Sequence, residues 1–212
     1  VTCVAVSRSQ SVIVSGAIDG TCIVWDMNRL KFVRQLIHIG SGANNKPGQQ
    51  GETDREGEIV CIEVHDVTGE IVTCTSRTIR VWSANGEPLA TQEVSQSQAS
   101  GEAVTCCAIS REWVPGHGQV LLTGHKDGII RVWDMEKFDV LSSSTPSPSS
   151  SPTATTTAHP IPGLRLKFVL PTNSQTTVTT IHVPVLDKSR LFAGNSTGVV
   201  FQWIDDSKKK PR

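Results

Sequence analysis

The sequence predicts an all-β repeat protein, because one short phrase recurs along the chain with a fixed internal spacing. The phrase is a glycine, a tight turn, and an alternating β-rich run that ends in tryptophan. Clear copies occupy 16–26 and 124–134, and a weaker copy occupies 194–203. In each copy the fourth residue of the phrase lies six positions before the tryptophan; the pairs are Asp19 and Trp25, Asp127 and Trp133, and Thr197 and Trp203. A fourth copy at 74–82 is one residue shorter and lacks the Asp-Gly pair.

Asp-Gly between two β-rich runs, at 19–20 and 127–128, predicts a hairpin with a type I′ turn, in which both central residues have positive φ. Each repeat then reads as up to four short strands bounded by turn residues. In chain order the predicted strands are 2–6, 11–16, 21–25 and 31–36; 59–64, 70–74, 78–82 and 88–94; 104–109, 119–124, 129–133 and 138–141; and 178–183, 190–194 and 199–203.

Two segments interrupt the repeats, and both are predicted to lie between the last strand of one repeat and the first strand of the next. Segment 37–58 is rich in Gly, Asn and Gln, and segment 142–177 begins as almost pure Ser, Thr, Pro and Ala. Neither has the apolar content of a packed core, so we expect both to be largely flexible. Within the second segment Thr145, Ser147 and Ser151 each precede proline and are candidate phosphorylation sites.

Composition excludes several classes of function. Twenty basic and twenty acidic residues cancel, so no global field attracts nucleic acid, and the basic tail 208–212 is expected to be solvated. No run of 18 apolar residues exists, so membrane association is at most peripheral. The chain begins inside a predicted strand, which suggests a fragment of a longer chain. None of the six cysteines forms a C-x-x-C pair, and they are expected to be buried cytosolic thiols, without a metal or cofactor.

Four-stranded units that end in Trp-Asp, at 25–26 and 133–134, are typical of the blades of WD40 β-propellers. We therefore expect about four blades, near 1–36, 59–94, 104–141 and 178–207, of a larger, seven-bladed propeller. More specifically, 12–16 with 22–30, 68–74 with 79–88, and 120–128 resemble the carboxy-terminal WD40 region of BEACH-domain proteins. The resemblance covers about 140 residues and is to the autophagy-linked FYVE, neurobeachin-like or Chediak–Higashi branches.

The WD40 resemblance implies a hydrogen-bonded network in each blade that links a turn Asp, a histidine, a Ser or Thr, and the Trp. By position this network would use Ser15, Asp19 and Trp25 in the first blade, and Thr123, Asp127 and Trp133 in the third, with Trp82 and Trp203 as the tryptophans of the other two. No Gly-His pair precedes any repeat in the expected place; His38 stands where one would begin, but we expect the insertion that follows to displace it. The second and fourth blades also lack the Asp, so we expect looser blades there.

One motif points to catalysis. Gly194–Gly198 matches the G-x-S-x-G elbow of hydrolases, with Ser196 as nucleophile, but that motif needs a helix after the serine and a β-rich run follows here. No catalytic residue is therefore assigned, and a hydrolase remains only a remote alternative.

The remaining candidates for function are surface residues. The turns before the Trp strands share one face of a propeller, and these turns would present mixed apolar and polar groups to a protein partner. Residue Trp113, in the connection at 111–117 on the opposite face, is either an exposed anchor or a plug packed under the blade. The candidate partner-binding residues are Ile18, Arg77, Trp113, His125, Lys126 and Asn195.

We therefore interpret the chain as a non-catalytic scaffold for protein–protein interaction. The BEACH resemblance implies membrane trafficking or selective autophagy beside an upstream BEACH domain, in the cytoplasm or peripherally on vesicle or endolysosomal membranes. The alternative is an unrelated WD40 adaptor of a ubiquitin-ligase or signalling complex.

Overall fold

A computed structural model describes residues 1–38, 57–94, 100–110, 118–139, 161–172, 175–184 and 190–204. The prediction of an all-β fold is confirmed, because the described residues form four antiparallel sheets in chain order. The first three sheets have four strands each: β1 Cys3–Ser7, β2 Val12–Gly16, β3 Thr21–Asp26 and β4 Lys31–Ile37; β5 Cys61–Val64, β6 Ile71–Cys74, β7 Thr78–Trp82 and β8 Pro88–Glu93; β9 Val104–Ser110, β10 Val120–His125, β11 Ile129–Asp139 and β12 Gly163–Pro171. The fourth sheet holds β13 Val178–His182, β14 Arg190–Asn195 and β15 Val200–Ile204.

The third sheet departs from the prediction at its outer strand. Strand β11 runs through 138–139, where a separate fourth strand was expected, and pairs along its length with β12. The prediction of a separate fourth strand at 138–141 was therefore wrong for 138–139, the part of it that the structure describes. The apolar alternation of Leu164, Leu166 and Phe168 provides the missing strand at the end of the segment assigned as insertion. The Ser/Thr/Pro-rich stretch accordingly connects two strands of one blade, whereas the sequence predicted that it connects two successive blades. Its candidate phosphorylation sites Thr145, Ser147 and Ser151 lie outside the described residues.

The turns before the Trp strands differ from the type I′ geometry. Gly20 and Gly128 both have φ of 79°, whereas Asp19 and Asp127 do not have positive φ. The Gly20 amide donates to the Ala17 carbonyl across 3.4 Å, which closes a four-residue turn whose last residue is the left-handed glycine. This is the type I turn with a glycine bulge, so the Asp-Gly pair predicted the hairpin correctly and the turn type wrongly.

The four sheets stack side by side through their innermost strands, in the order β1, β5, β9, β13. Three apolar clusters fill the joints between consecutive sheets, and each cluster takes its residues from both partners. The described sheets do not close into a ring, so the total of seven blades stays a prediction. The outer faces of the first and fourth sheets therefore carry exposed apolar side chains, including Val4 at 56% and Val200 at 69% exposure.

We expect the isolated chain to self-associate through these two uncovered sheet faces, because exposed apolar strands bind other strands and sheets. Size-exclusion chromatography over a range of concentrations should show oligomers, and a Val4→Lys, Val200→Lys double variant should shift them toward monomer. Val67→Lys is the control, because Val67 is 61% exposed but lies in the turn between β5 and β6. A sharp monomer peak for the unmodified chain at every concentration would contradict the expectation.

Candidate functional site

Three of the blades contain the same bond between a tryptophan and a hydroxyl group. The Trp25 Nε1 donates to Ser15 Oγ across 3.0 Å, and Trp133 Nε1 donates to Thr123 Oγ1 across 2.9 Å. In the second blade Trp82 Nε1 donates to Thr73 Oγ1, also across 2.9 Å. Sequence reasoning missed Thr73, because the shorter turn places it nine residues before the tryptophan instead of ten.

The fourth blade has no hydroxyl at the equivalent position. Ala193 occupies the place ten residues before Trp203 and is buried against the joint with the third sheet. Trp203 packs instead with its ring 6.0 Å from that of Phe201.

Two histidines extend these bonds, although no histidine was expected in the network. The Thr123 hydroxyl contacts His125 Nε2 across 2.8 Å, and His125 Nδ1 contacts the Glu102 carbonyl oxygen across 2.7 Å. His38 follows β4 of the first sheet, yet its Nδ1 lies 2.9 Å from Thr73 Oγ1 in the second sheet. His38 therefore bridges the first two blades, and the insertion after it does not displace it as the sequence suggested.

Burial favours the neutral form of both histidines. Each threonine hydroxyl accepts from a tryptophan and keeps its own hydrogen, which it can donate to an imidazole nitrogen. Burial lowers the pKa of His125 to about 4, with Arg131 adding to the effect against the Glu102 carbonyl. Burial and Arg80 lower the pKa of His38 to about 3. His125 is fully buried, so the prediction of a partner contact at the rim was wrong for this residue.

The lowered pKa values predict acid destabilisation. Above pH ~6.5 the histidines are neutral in both states, whereas below it the unfolded chain takes up protons that the folded chain excludes. The free energy of unfolding should fall by about 1 kcal/mol per histidine between pH 7.5 and 5.5. Urea denaturation at both pH values checks this, with His125→Gln expected to show a weaker pH dependence and the exposed His182→Gln serving as control. An unchanged dependence in His125→Gln would contradict the assignment.

The turn aspartates do not join the network, contrary to the prediction. Asp19 Oδ1 accepts from the amide and hydroxyl of Thr21, at 3.0 and 2.7 Å, and these bonds lower its pKa. Asp127 Oδ1 accepts from the Ile129 amide across 2.9 Å, and its Oδ2 lies 3.1 Å from Arg131 Nη2. Each carboxylate therefore caps its own turn, and in the third blade the buried His125 bonds the Thr123 hydroxyl instead.

The four turns before the Trp strands are tied into one continuous edge, which we call the turn face and define by 17–20, 75–78, 125–128 and 195–198. The Ile59 amide donates to the Ala17 carbonyl, which joins the first turn to the chain entering β5. The Val104 amide donates to the Ser76 carbonyl in the same way, and Thr177 Oγ1 donates to the Lys126 carbonyl. The arrangement fixes the relative positions of side chains that the sequence places far apart.

The predicted partner-binding residues divide on this face. Ile18 is 56% exposed and Lys126 is exposed, while Arg77 is half-buried. Asn195 is buried, and its Oδ1 accepts from Thr197 and from the Val199 amide across 2.8 Å, so the prediction of a surface contact was wrong there. Its short polar side chain instead holds the glycine-containing turn. The remaining candidate, Trp113, lies outside the described residues.

The alternative nucleophile Ser196 does not stand on a strand–turn–helix elbow. It is exposed in the turn between β14 and β15, so a strand follows where the hydrolase motif needs a helix. Among the described residues the helical structure is the 3₁₀ turn Ser100–Glu102, and no helix there is long and apolar enough to cross a membrane.

Three four-stranded antiparallel sheets, each with a tryptophan–hydroxyl bond, have the architecture of WD40 repeats. The WD domain, G-beta repeat family matches residues 1–26 and 87–134. Among solved structures, the computationally designed Ika4 protein superposes with a TM-score of 0.57 at 23% identity, covering 96% of this chain and 89% of that one. This likeness supports the fold alone.

The homologues of the chain are BEACH-domain proteins, which confirms the resemblance found in the sequence. The human WD repeat- and FYVE domain-containing protein 4 is 35% identical over 136 residues, which is 64% of this chain and 4% of that protein. BEACH domain-containing protein A2 of Arabidopsis thaliana is 28% identical over 96% of this chain and 5% of its own length. The human lysosomal-trafficking regulator is 25% identical over 63% of this chain and 3% of its own length. The chain thus spans a small part of each relative.

Proposed function

We propose that the turn face is the docking surface for a protein partner, in a chain that works as a non-catalytic scaffold of membrane trafficking. The observation that carries the proposal is the continuity of this face, on which backbone bonds hold turns from consecutive blades in one edge. Its exposed groups combine an apolar side chain, Ile18, with the cation Lys126. Apolar contact area bordered by charge is the usual composition of a protein interface.

The names of the relatives support a cellular setting for this proposal. One of them is named as a regulator of lysosomal trafficking, and another by its BEACH domain. We infer that the chain acts beside a BEACH domain in the cytoplasm and reaches vesicle or endolysosomal membranes peripherally, through its partner. Selective autophagy is the finer proposal, and it rests on the resemblance to the autophagy-linked FYVE branch.

Substitutions on the turn face, compared with a substitution on the opposite face, test the docking surface. Ile18→Asp and Lys126→Glu change the turn face, whereas Val67→Asp changes a residue of similar exposure, at 61%, in a turn at the opposite end. The immobilised chain and its variants would be exposed to cell extract, and the captured proteins would be quantified by mass spectrometry. A partner of the turn face should bind about thirtyfold more weakly to Ile18→Asp, the loss typical of an interface hot spot. Partners lost only in Val67→Asp would contradict the proposal.

A further inference from the structure

The joint between the second and third sheets differs from the other two joints. The innermost strand of each of these sheets carries a cysteine that pairs with a glycine of the next strand. In the first sheet Cys3 pairs with Gly16, and in the third sheet Cys106 pairs with Gly124. In the second sheet the inner cysteine is Cys61, and it pairs with Cys74.

A hydrogen bond from a threonine hydroxyl to a backbone carbonyl of the next repeat, present at the other two joints, is also missing at this one. The Thr2 hydroxyl donates to the Ile59 carbonyl of the second sheet, and the Thr105 hydroxyl donates to the Val178 carbonyl of the fourth. The equivalent residue before Cys61 is Val60, which has no hydroxyl group. The second sheet is thus joined to the third without the bond that joins the other pairs.

Three thiols stand at the joint instead. The sulfur atoms of Cys61, Cys74 and Cys107 all lie within 4.8 Å of one another, two from the second sheet and one from the third. The tetrahedral edge that follows from a Zn–S distance of 2.3 Å is about 3.8 Å, so a rotation of the side chains would bring the sulfurs into coordination. Cys74 and Cys107 are buried, while Cys61 is partly exposed.

We propose that Cys61, Cys74 and Cys107 bind a zinc ion that fastens the second blade to the third. We assign the fourth position to the carboxyl group of Glu63, which lies two residues from Cys61 on the same face of β5 and would reach the ion by rotation of its side chain. Three sulfur donors and one oxygen donor suit tetrahedral Zn²⁺ better than Cu⁺, which prefers sulfur alone. The cysteines are far apart in sequence, which is why no ligand spacing predicted the site.

The test measures metal content of the whole chain after dialysis against metal-free reducing buffer. We expect about one zinc ion per chain by elemental analysis, and a sulfur-to-cobalt charge-transfer band that saturates at about one equivalent of Co²⁺. Cys107→Ser should lose both signals. Cys106→Ser is the matched control, because its thiol is equally buried, at 9% against 8% exposure, but packs in the joint with the fourth sheet.

Further measurements test the fourth ligand by itself and keep the proposal testable if Cys107→Ser misfolds. If Cys107→Ser does not fold by circular dichroism, a chelator added to the unmodified chain should lower its thermal midpoint, and zinc should restore it. Glu63→Gln should weaken zinc binding about tenfold while keeping the charge-transfer band, and an unchanged affinity would overturn its place as fourth ligand. The proposal fails if the chain holds no zinc, if Cys106→Ser loses it equally, or if Cu⁺ is the ion retained.

Discussion

Replacing Thr123 with valine should lower the free energy of unfolding by about 2–4 kcal/mol, the largest effect expected of a single side chain here. Valine matches the shape of threonine but leaves both network partners of the hydroxyl without a bond. The Trp133 Nε1 loses its acceptor and His125 Nε2 loses its donor, and both groups are buried. Each stranded group costs about 1–3 kcal/mol, because water cannot replace the missing partner. Chemical denaturation followed by tryptophan fluorescence measures the loss.

The first blade provides the matched comparison. Ser15 accepts from Trp25, but this bond is only partly buried and Ser15 has no bond to a histidine among the described residues. Ser15→Ala should therefore cost about 1 kcal/mol. A loss at Ser15 as large as that at Thr123 would show that the histidine adds nothing to the network.

The second large effect is expected from Gly124→Ala, at about 1–3 kcal/mol. A Cβ atom at this position would lie 2.6 Å from Cys106 Sγ and 2.7 Å from Val178 Cγ1 in the next sheet. These contacts are far shorter than van der Waals separation, so the third and fourth sheets would have to move apart. The same denaturation experiment measures the change, and a retained unfolding midpoint would contradict the close packing of the joint.

Two further glycines test whether the loss of stability depends on the space available for a Cβ atom. A Cβ at Gly16 would lie 2.7 Å from Ile59, so Gly16→Ala should resemble Gly124→Ala. A Cβ at Gly194 would approach Thr180 only to 3.0 Å, and the fourth sheet has an open outer face. Gly194→Ala should change stability by under about 1 kcal/mol, since the smaller clash is partly offset by the lower entropy of the unfolded alanine chain. Equal losses at all three positions would show that the glycines matter for backbone freedom instead.

Local periodicity was enough to predict most of the strands. Alternation of apolar side chains has a period of two residues, and a turn glycine such as Gly20 is required within a few residues of its hairpin, so both signals are readable in a short window. The same argument explains the tryptophans, which lie in each third strand and stand at the same distance from the turn in three of the four repeats. The resemblance to BEACH-domain proteins also rested on such local phrases and was confirmed.

Contacts between segments that are far apart in the chain could not be predicted from local periodicity. The strand beginning at Gly163 completes a blade whose previous strand ends at Asp139, and the intervening Ser/Thr/Pro-rich stretch hides the connection in sequence. His38 reaches Thr73, 35 residues away, and was judged by its own surroundings to be displaced.

The sequence by itself determined a chain of β-blades with fixed turn and tryptophan spacing, because those signals depend on neighbours along the backbone. Only the tertiary structure decided which side chains meet across the joints. It buried His125 and Asn195, which local pattern placed on the surface, and it gathered Cys61, Cys74 and Cys107 from two sheets. The physical reason is that a joint between blades is formed by faces of separate hairpins, whose mutual position is set by packing and leaves no periodic trace in either segment.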